Sequence, residues 1–157
     1  AQWTRTFNGN ANGDDGGLAI TTDANNNVIT AGNETATGQM ANVWVRKYDP
    51  SGNTIWTQTF ASQTALNDVA YGVVADPQNG GIVVSGFTAI ANNTADVWIR
   101  RYTSGGTPTW TQTYNGTQDM DDVGYAIAMN AQGFIYVAGL ETVNGPLGSA
   151  WLRKLAP

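Results

Sequence analysis

Short runs of β-type residues fill this chain, and turn-forming residues separate them. Between residues 68 and 114 four such runs follow one another: AYGVVA (70–75), GIVVSGF (81–87), VWIRRY (97–102) and TPTWTQTY (107–114). Val, Ile, Tyr, Trp and Thr dominate these runs, and such residues favour strands. No run carries the 3.6-residue apolar period of a helix over a sufficient length. The pattern predicts four short antiparallel strands here.

The same pattern is written three times along the chain. Equivalent residues recur at steps of 53 or 54 positions. The equivalent sets are Trp3, Trp56 and Trp110; Asp15, Asp68 and Asp122; Gly32, Gly86 and Gly139; and Trp44, Trp98 and Trp151. Such a period is typical of repeat proteins, whose units bury their faces against neighbouring units. We expect one domain over residues 1–157, with repeats at about 1–53, 54–107 and 108–157.

Four antiparallel strands per repeat describe a blade of a β-propeller, in which blades pack face to face around an axis. The predicted fold is therefore all-β, a β-propeller with three four-stranded blades per chain. The boundaries of the four-strand blades do not coincide with the ends of the sequence. Residues 2–8 align with the last strand of a blade, whereas the third repeat stops at Leu155, after its third strand.

We therefore expect the N-terminal strand to complete a C-terminal blade, because an unpaired edge exposes backbone donors and acceptors. Three blades are too few for a ring, since propellers have about four to eight. The strand is accordingly predicted to complete the blade of a partner subunit, giving a six-bladed homodimer. A higher or open assembly, and a fragment of a longer propeller, are the alternatives. The predicted seam residues are Trp3, Arg5, Phe7, Trp151 and Arg153.

The motifs also resemble a known repeat. An Asp-initiated strand, a strand ending in Gly, a W-[VIL]-R-[KR] strand and a W-T-x-T-[FY] strand follow in order, with a D-P-S-G turn before the last strand of the first repeat. This order is similar to the seven-bladed β-propeller repeat family of bacterial and archaeal extracellular proteins, over essentially the whole chain. The resemblance implies a propeller fold and an extracellular or cell-surface location. Three repeats do not divide into seven blades, so it does not set the blade number.

Composition excludes several classes of function. The net charge of −5 has the wrong sign for a nucleic-acid or anionic-membrane surface. No apolar run approaches the roughly 20 residues of a membrane-spanning helix. The chain has no Cys and no His, which removes thiol nucleophiles, Ser-His-Asp triads and His-based zinc sites. A neutral glycan, a cationic partner or a Ca²⁺-like cation is compatible with this composition.

Two weaker features bear on location. Lys is scarce while Thr, Asn and Gly are abundant, which favours the outside of a cell. The sequence begins at Ala1 without Met, as expected after removal of a signal peptide or of a longer parent chain, although an artificial boundary would look the same.

Acidic residues form the first candidate site. Asp15, Asp68 and Asp122 stand just before the first strand of each repeat, and Glu34 and Glu141 follow the second strand. These loops are expected on one face of a propeller, where a ring of oxygen ligands would suit Ca²⁺ or another ligand. A short Asp in a tight turn also caps backbone amides, which is the alternative.

Tryptophans and adjacent pairs of basic residues form the second candidate site. All six tryptophans occupy repeated strand positions, so they are expected to pack between blades, with a sugar-stacking platform at the Trp44 series as the alternative. The pairs Arg46-Lys47, Arg100-Arg101 and Arg153-Lys154 follow these tryptophans. We expect structural ion pairs with the Asp15 series, or backbone hydrogen bonds, between blades; an anion-binding ring is the alternative.

The sequence predicts no enzyme and no required cofactor. A catalytic carboxylate pair needs unlike environments and should break the repeat, yet the conspicuous carboxylates follow it. The function predicted is a non-catalytic, secreted or surface binding or structural module that binds itself, with a protein or glycan as ligand. A lectin-like propeller, an open filament-forming subunit and, last, a glycan-active hydrolase are the alternatives.

Overall fold

The computed structural model describes residues 2–90, 94–144 and 147–157. Ala1, where the sequence begins, lies outside these ranges. Every regular element in these ranges is a β-strand. Eleven strands form three antiparallel sheets of four, four and three strands, each paired in chain order. The all-β prediction is confirmed.

The strands follow the repeat. Sheet 1 contains β1 (Gly16–Thr22), β2 (Val28–Thr35), β3 (Ala41–Tyr48) and β4 (Thr54–Phe60). Sheet 2 contains β5 (Asp68–Ala75), β6 (Ile82–Ala89), β7 (Ala95–Tyr102) and β8 (Pro108–Tyr114). Sheet 3 contains β9 (Val123–Met129), β10 (Ile135–Asn144) and β11 (Leu147–Leu155). Residues 2–8 belong to no strand in this structure, although they align with β4 and β8.

The repeated glycine of each second strand is explained by a bulge in the first strand. The β1–β2 register shifts between Gly17 and Ala19, and the equivalent shift occurs in the other two sheets. The bulge brings the backbone so close that a Cβ on Gly32 would lie 1.8 Å from the Gly16 carbonyl oxygen. Only glycine allows this approach.

The sheets pack face to face in succession. The first strand of sheet 2, β5, contacts β1, β2 and β3, and β9 contacts β5, β6 and β7 in the same manner. One apolar cluster lies between sheets 1 and 2, and a second lies between sheets 2 and 3. Among the described residues, sheet 2 is therefore covered on both faces, while sheets 1 and 3 each have one face on which no sheet packs.

The second residue of two basic pairs forms an ion pair within its own sheet, so the expected ion pairing with the Asp15 series is wrong. The expected backbone hydrogen bond between sheets is present for Lys47, whose Nζ donates to the Ser104 carbonyl oxygen at 3.2 Å. Lys47 Nζ lies 2.8 Å from Asp23 Oδ2, and both side chains are buried. Arg101 forms the equivalent ion pair with Asp76. The reason is strand direction: the β1–β2 turn that carries Asp23 lies beside the end of β3, whereas the Asp15 series lies at the opposite end of the sheet.

The Asp23 carboxylate also shapes its turn, since it accepts hydrogen bonds from the backbone amides of Asn25 and Asn27. Burial on its own raises the pKa of Asp23, but the hydrogen bonds from Lys47 and Asn27 outweigh it and lower the pKa from 3.8 to about 2. The charged form is thus favoured by folding. Its contribution to stability is present above pH 3.8 and is lost as the pH falls towards 2.

Asp23→Asn is expected to lower the free energy of unfolding by roughly 3 kcal/mol, because it leaves the buried Lys47 ammonium without its partner. The turn itself tolerates Asn, since Asn130 caps the equivalent turn of sheet 3 with the same side-chain oxygen. Denaturant unfolding at pH 7 measures the loss. The control is Asp49→Asn, in a similar turn without an ion pair, for which we expect a clearly smaller loss. Equal losses would show that the ion pair is unimportant.

Candidate assembly site

Residues 2–8 lie against sheet 1 without pairing with any of its strands. The Trp3 indole donates from Nε1 to the Pro50 carbonyl oxygen at 3.0 Å, and Arg5 Nε donates to the Gly52 carbonyl at 2.7 Å. The Phe7 ring stacks on Trp44 with 5.0 Å between centroids. The segment is therefore fixed at both ends to the turn and the third strand of sheet 1.

The last strand of sheet 1 contacts sheet 2 through the same types of contact. Trp56 Nε1 donates to the Ser104 carbonyl oxygen at 3.1 Å, at the turn equivalent to that of Pro50. Phe60 stacks on Trp98 with 5.1 Å between centroids. At the next junction, Tyr114 of β8 stacks on Trp151 of sheet 3 at 5.2 Å. Residues 2–8 thus hold the position that β4 and β8 hold on the following sheet.

An arginine covers each aromatic stack. The guanidinium carbon of Arg46 lies 4.3 Å from the Phe7 ring centroid, and that of Arg100 lies 4.3 Å from Phe60. Arg153 lies 5.0 Å from the Tyr114 ring. A cation over an aromatic face contributes on the order of 0.5–2 kcal/mol. The first basic residue of each pair therefore serves the junction between sheets.

The Asp15 series anchors the same junctions. Asp15 accepts a hydrogen bond from the Gly9 amide at 2.6 Å and, with its other oxygen, one from the Thr35 amide at 2.9 Å. Asp68 binds the Ser62 amide in the same manner, and Asp122 binds the Gly116 amide. Each carboxylate ties the incoming connection to the second strand of the sheet that it enters.

These contacts use the carboxylates for structure. Asp68 and Asp122 have no exposed surface. A ligand or a Ca²⁺ ion at this series would have to displace the backbone amides. In the described part of the chain, no group of three or more acidic side chains lies close enough together to hold a metal ion.

Glu34 and Glu141 lie at the same end of their sheets as the aspartates. Burial raises the pKa of Glu34, the neighbouring Asp15 adds to this effect, and Arg46 opposes it. Glu141 accepts a hydrogen bond from the Tyr114 hydroxyl at 3.0 Å, across the junction of sheets 2 and 3. Thr88, the equivalent residue of sheet 2, donates to Asp68 instead. The structure therefore brings each glutamate to a junction between repeats.

The tryptophans of the third strands do not offer a sugar platform. Trp44 is 5% exposed and Trp98 is 0% exposed, each under an aromatic ring of the neighbouring segment. Their faces already carry Phe7 and Phe60, so the alternative of sugar stacking at this series is wrong for both. The interpretation as packing between repeats agrees with these contacts.

A cavity of about 360 Å³ lies beside the N-terminal segment. Its walls are Trp3 and Phe7 on one side and the first two strands of sheet 1 on the other, including Ile20, Val28 and Thr30. At the far end of the chain, the face of sheet 3 that is turned away from sheet 2 exposes Leu152 at 72% of its surface. Both surfaces expose apolar side chains, and the sequence pattern did not reveal this exposure. Alternation alone does not show which face of a strand is covered by a neighbouring sheet.

Comparisons with known proteins do not assign the chain to a family. No protein-family model matches the chain, and no curated protein is significantly similar to it. Among the described residues, no helix has the length and apolar character needed to cross a membrane.

The placement of residues 2–8 depends on Gly52, and a substitution there can test it. Gly52 has φ of +81°, and a Cβ on it would lie 2.8 Å from the Trp3 ring. Gly52→Ala is expected to displace the segment and to expose the peptide bond after Arg5 to trypsin. Gly38→Ala is the matched control, since Gly38 has φ of +76° with nothing within 4 Å of the added Cβ. Mass spectrometry of the digest measures cleavage, and equal cleavage in both variants would contradict the contact.

Proposed function

We propose that this chain is a self-assembling β-propeller subunit, in which residues 2–8 of one copy form the fourth strand of sheet 3 in another. One observation carries the proposal. Residues 2–8 pack on sheet 1 as β4 packs on sheet 2, yet among the described residues no strand pairs with them. In the described residues sheet 3 has three strands, whereas sheets 1 and 2 each have four.

The packing between sheets supports a propeller. The junction of sheets 1 and 2 and the junction of sheets 2 and 3 use the same strands, the same aromatic stack and the same aspartate. Repetition of one junction generates a rotation at each step, as in propeller blades. Two copies supply six blades, which lies within the known range of about four to eight. The resemblance to the seven-bladed repeat family agrees with this interpretation.

Strand exchange between chains is favoured over closure within one chain. For residues 2–8 to pair with sheet 3 of the same chain, the ring would have to close with three blades, below the known range. A twofold arrangement would pair each N-terminal segment with the other chain's sheet 3 and leave no free strand edge at either seam. Closed twofold assemblies are also the commonest homo-oligomers.

In this proposal the assembled ring is a non-catalytic binding or structural module outside the cell. The repeated carboxylates Asp15 and Asp68 accept structural hydrogen bonds from backbone amides, and the chain has neither Cys nor His. The ligand class remains a protein or a glycan, bound by loops that the junctions leave free. The extracellular or surface location rests on the repeat resemblance and the composition.

Native mass spectrometry and sedimentation at low concentration test the assembly. The intact chain is expected to show a discrete species of twice the chain mass. Deletion of residues 1–8 should leave monomers or aggregates, because sheet 3 then has no fourth strand and Trp44 loses the Phe7 ring. A peptide of residues 1–8 added to the deletion variant should bind, while a scrambled peptide should not.

Three outcomes have distinct meanings for this proposal. A ladder of masses would replace the closed ring with an open, filament-like series and keep the strand exchange. A dimer that is unchanged by the deletion would rule out the exchanged strand. A monomeric intact chain at all concentrations would overturn the proposal altogether.

A further inference from the structure

The two uncovered faces of the chain match the two faces buried at its internal junctions. The repeat makes this comparison possible residue by residue, because each exposed side chain has an equivalent in a covered sheet. Exposure of apolar side chains on a contiguous sheet face marks an interaction surface. The comparison shows which kind of surface would fit each face.

The open face of sheet 1 corresponds to the face of sheet 2 that packs on sheet 1. Ile20 is 71% exposed, whereas its equivalent Val73 is 8% exposed. Val28 and Thr30 line the cavity, whereas their equivalents Ile82 and Val84 are fully buried. This face therefore has the side chains of a covered sheet, but in the described residues only the segment 2–8 covers part of it.

The open face of sheet 3 corresponds to the face of sheet 1 that covers sheet 2. Leu152 is 72% exposed, whereas its equivalent Val45 is fully buried at the first junction. Ala150 is also exposed, and its equivalent Val43 is fully buried. The open face of sheet 3 thus carries apolar side chains at the positions that sheet 1 uses to pack on sheet 2.

We infer that the cavity beside Trp3 and Phe7 is half of a subunit interface, filled by the open face of sheet 3 from a second copy. This inference rests on the proposed strand exchange and adds the surfaces and the register by which it occurs. The occupant is a second copy because Trp3 and Phe7 already hold the outer-strand position of this junction, and in the described residues no inner strands pack beside them. Sheet 3 has three strands.

The internal sheets fix the register of the exchanged strand. In sheet 1, Val45 pairs with Gln58, and in sheet 2, Ile99 pairs with Gln112. The equivalent pair at the seam is Leu152 of one copy with Arg5 of the other. The same offset places Arg153 opposite Thr4.

A side-chain contact follows from that register. Arg46 Nε donates to the Thr57 hydroxyl at 2.8 Å, and Arg100 Nε donates to the Thr111 hydroxyl at 2.7 Å. Both threonines are on the fourth strand of the same sheet. Thr4 is their equivalent on the exchanged segment, so Arg153 of one copy donates to the Thr4 hydroxyl of the other.

Engineered cysteines test this register directly, because the chain has no Cys of its own. The double variant R5C/L152C is expected to form covalent dimers on mild oxidation, with two disulfides per closed dimer. Residues directly opposite each other in antiparallel strands have the separation that a disulfide requires. The control T4C/L152C moves the cysteine of the N-terminal segment from position 5 to position 4, so that its side chain points to the opposite face of the sheet. We expect at least tenfold less cross-linking for the control.

The outcomes separate the register from the assembly. If neither double variant cross-links while the native mass stays dimeric, the inferred register is wrong, and the effect of deleting residues 1–8 on the dimer decides whether the strand exchange stands. Equal cross-linking of both variants would also overturn the register. If the intact chain is monomeric, both proposals fail.

A surface substitution tests the face independently of disulfide geometry. L152D places a carboxylate in the proposed junction without a partner, and we expect the dimer to dissociate at least about tenfold more readily. L147D is the matched control, because Leu147 is 73% exposed at the start of the same strand and the side chain of its equivalent, Met40, stays 47% exposed at the first junction. Sedimentation measures the dissociation constant, and circular dichroism checks that both variants fold. A dimer as tight in L152D as in L147D would contradict the inferred interface.

Discussion

The structure depends on covering both apolar faces of each sheet. A sheet with alternating side chains and large apolar residues on both faces is stable only between two neighbours, because exposed apolar surface costs free energy at about 25 cal/mol per Å². Sheet 2 meets this condition, with Val83 and Val84 fully buried on its opposite faces. Sheets 1 and 3 meet it on one face only. In the proposed assembly, the remaining face of each of these sheets is covered by the other sheet from a second copy.

The junctions between sheets share one design. An aspartate fixes the connection that enters each sheet, an aromatic ring of the preceding outer strand stacks on a tryptophan, and an arginine covers that ring. This explains why an acidic chain with few charged residues places them at repeated positions. The Asp15 series and the first arginine of each basic pair hold neighbouring repeats together, while Lys47 and Arg101 form ion pairs within their own sheets.

Variation between the repeats shows which contacts are exchangeable. Thr88 stands where the other repeats have Glu34 and Glu141, and its hydroxyl donates to the buried Asp68. Asn130 stands where the others have Asp23 and Asp76, and it keeps the turn but not the ion pair. The aromatic stack and the aspartate cap are present at all three positions, including the one made by residues 2–8. That segment therefore has the contacts of an outer strand before any partner strand is added.

The sequence by itself determined the strands, the repeat and the position of each tryptophan, because alternation and turn residues act over a few neighbouring positions. It also determined that residues 2–8 are equivalent to β4. Only the tertiary structure decided that Lys47 pairs with Asp23, since antiparallel register places the β1–β2 turn beside the end of β3. Likewise, alternation cannot show which face has a neighbour. The packing of three sheets in one direction left Ile20 and Leu152 exposed, and that spatial order is the physical reason for an open end on each side of the chain.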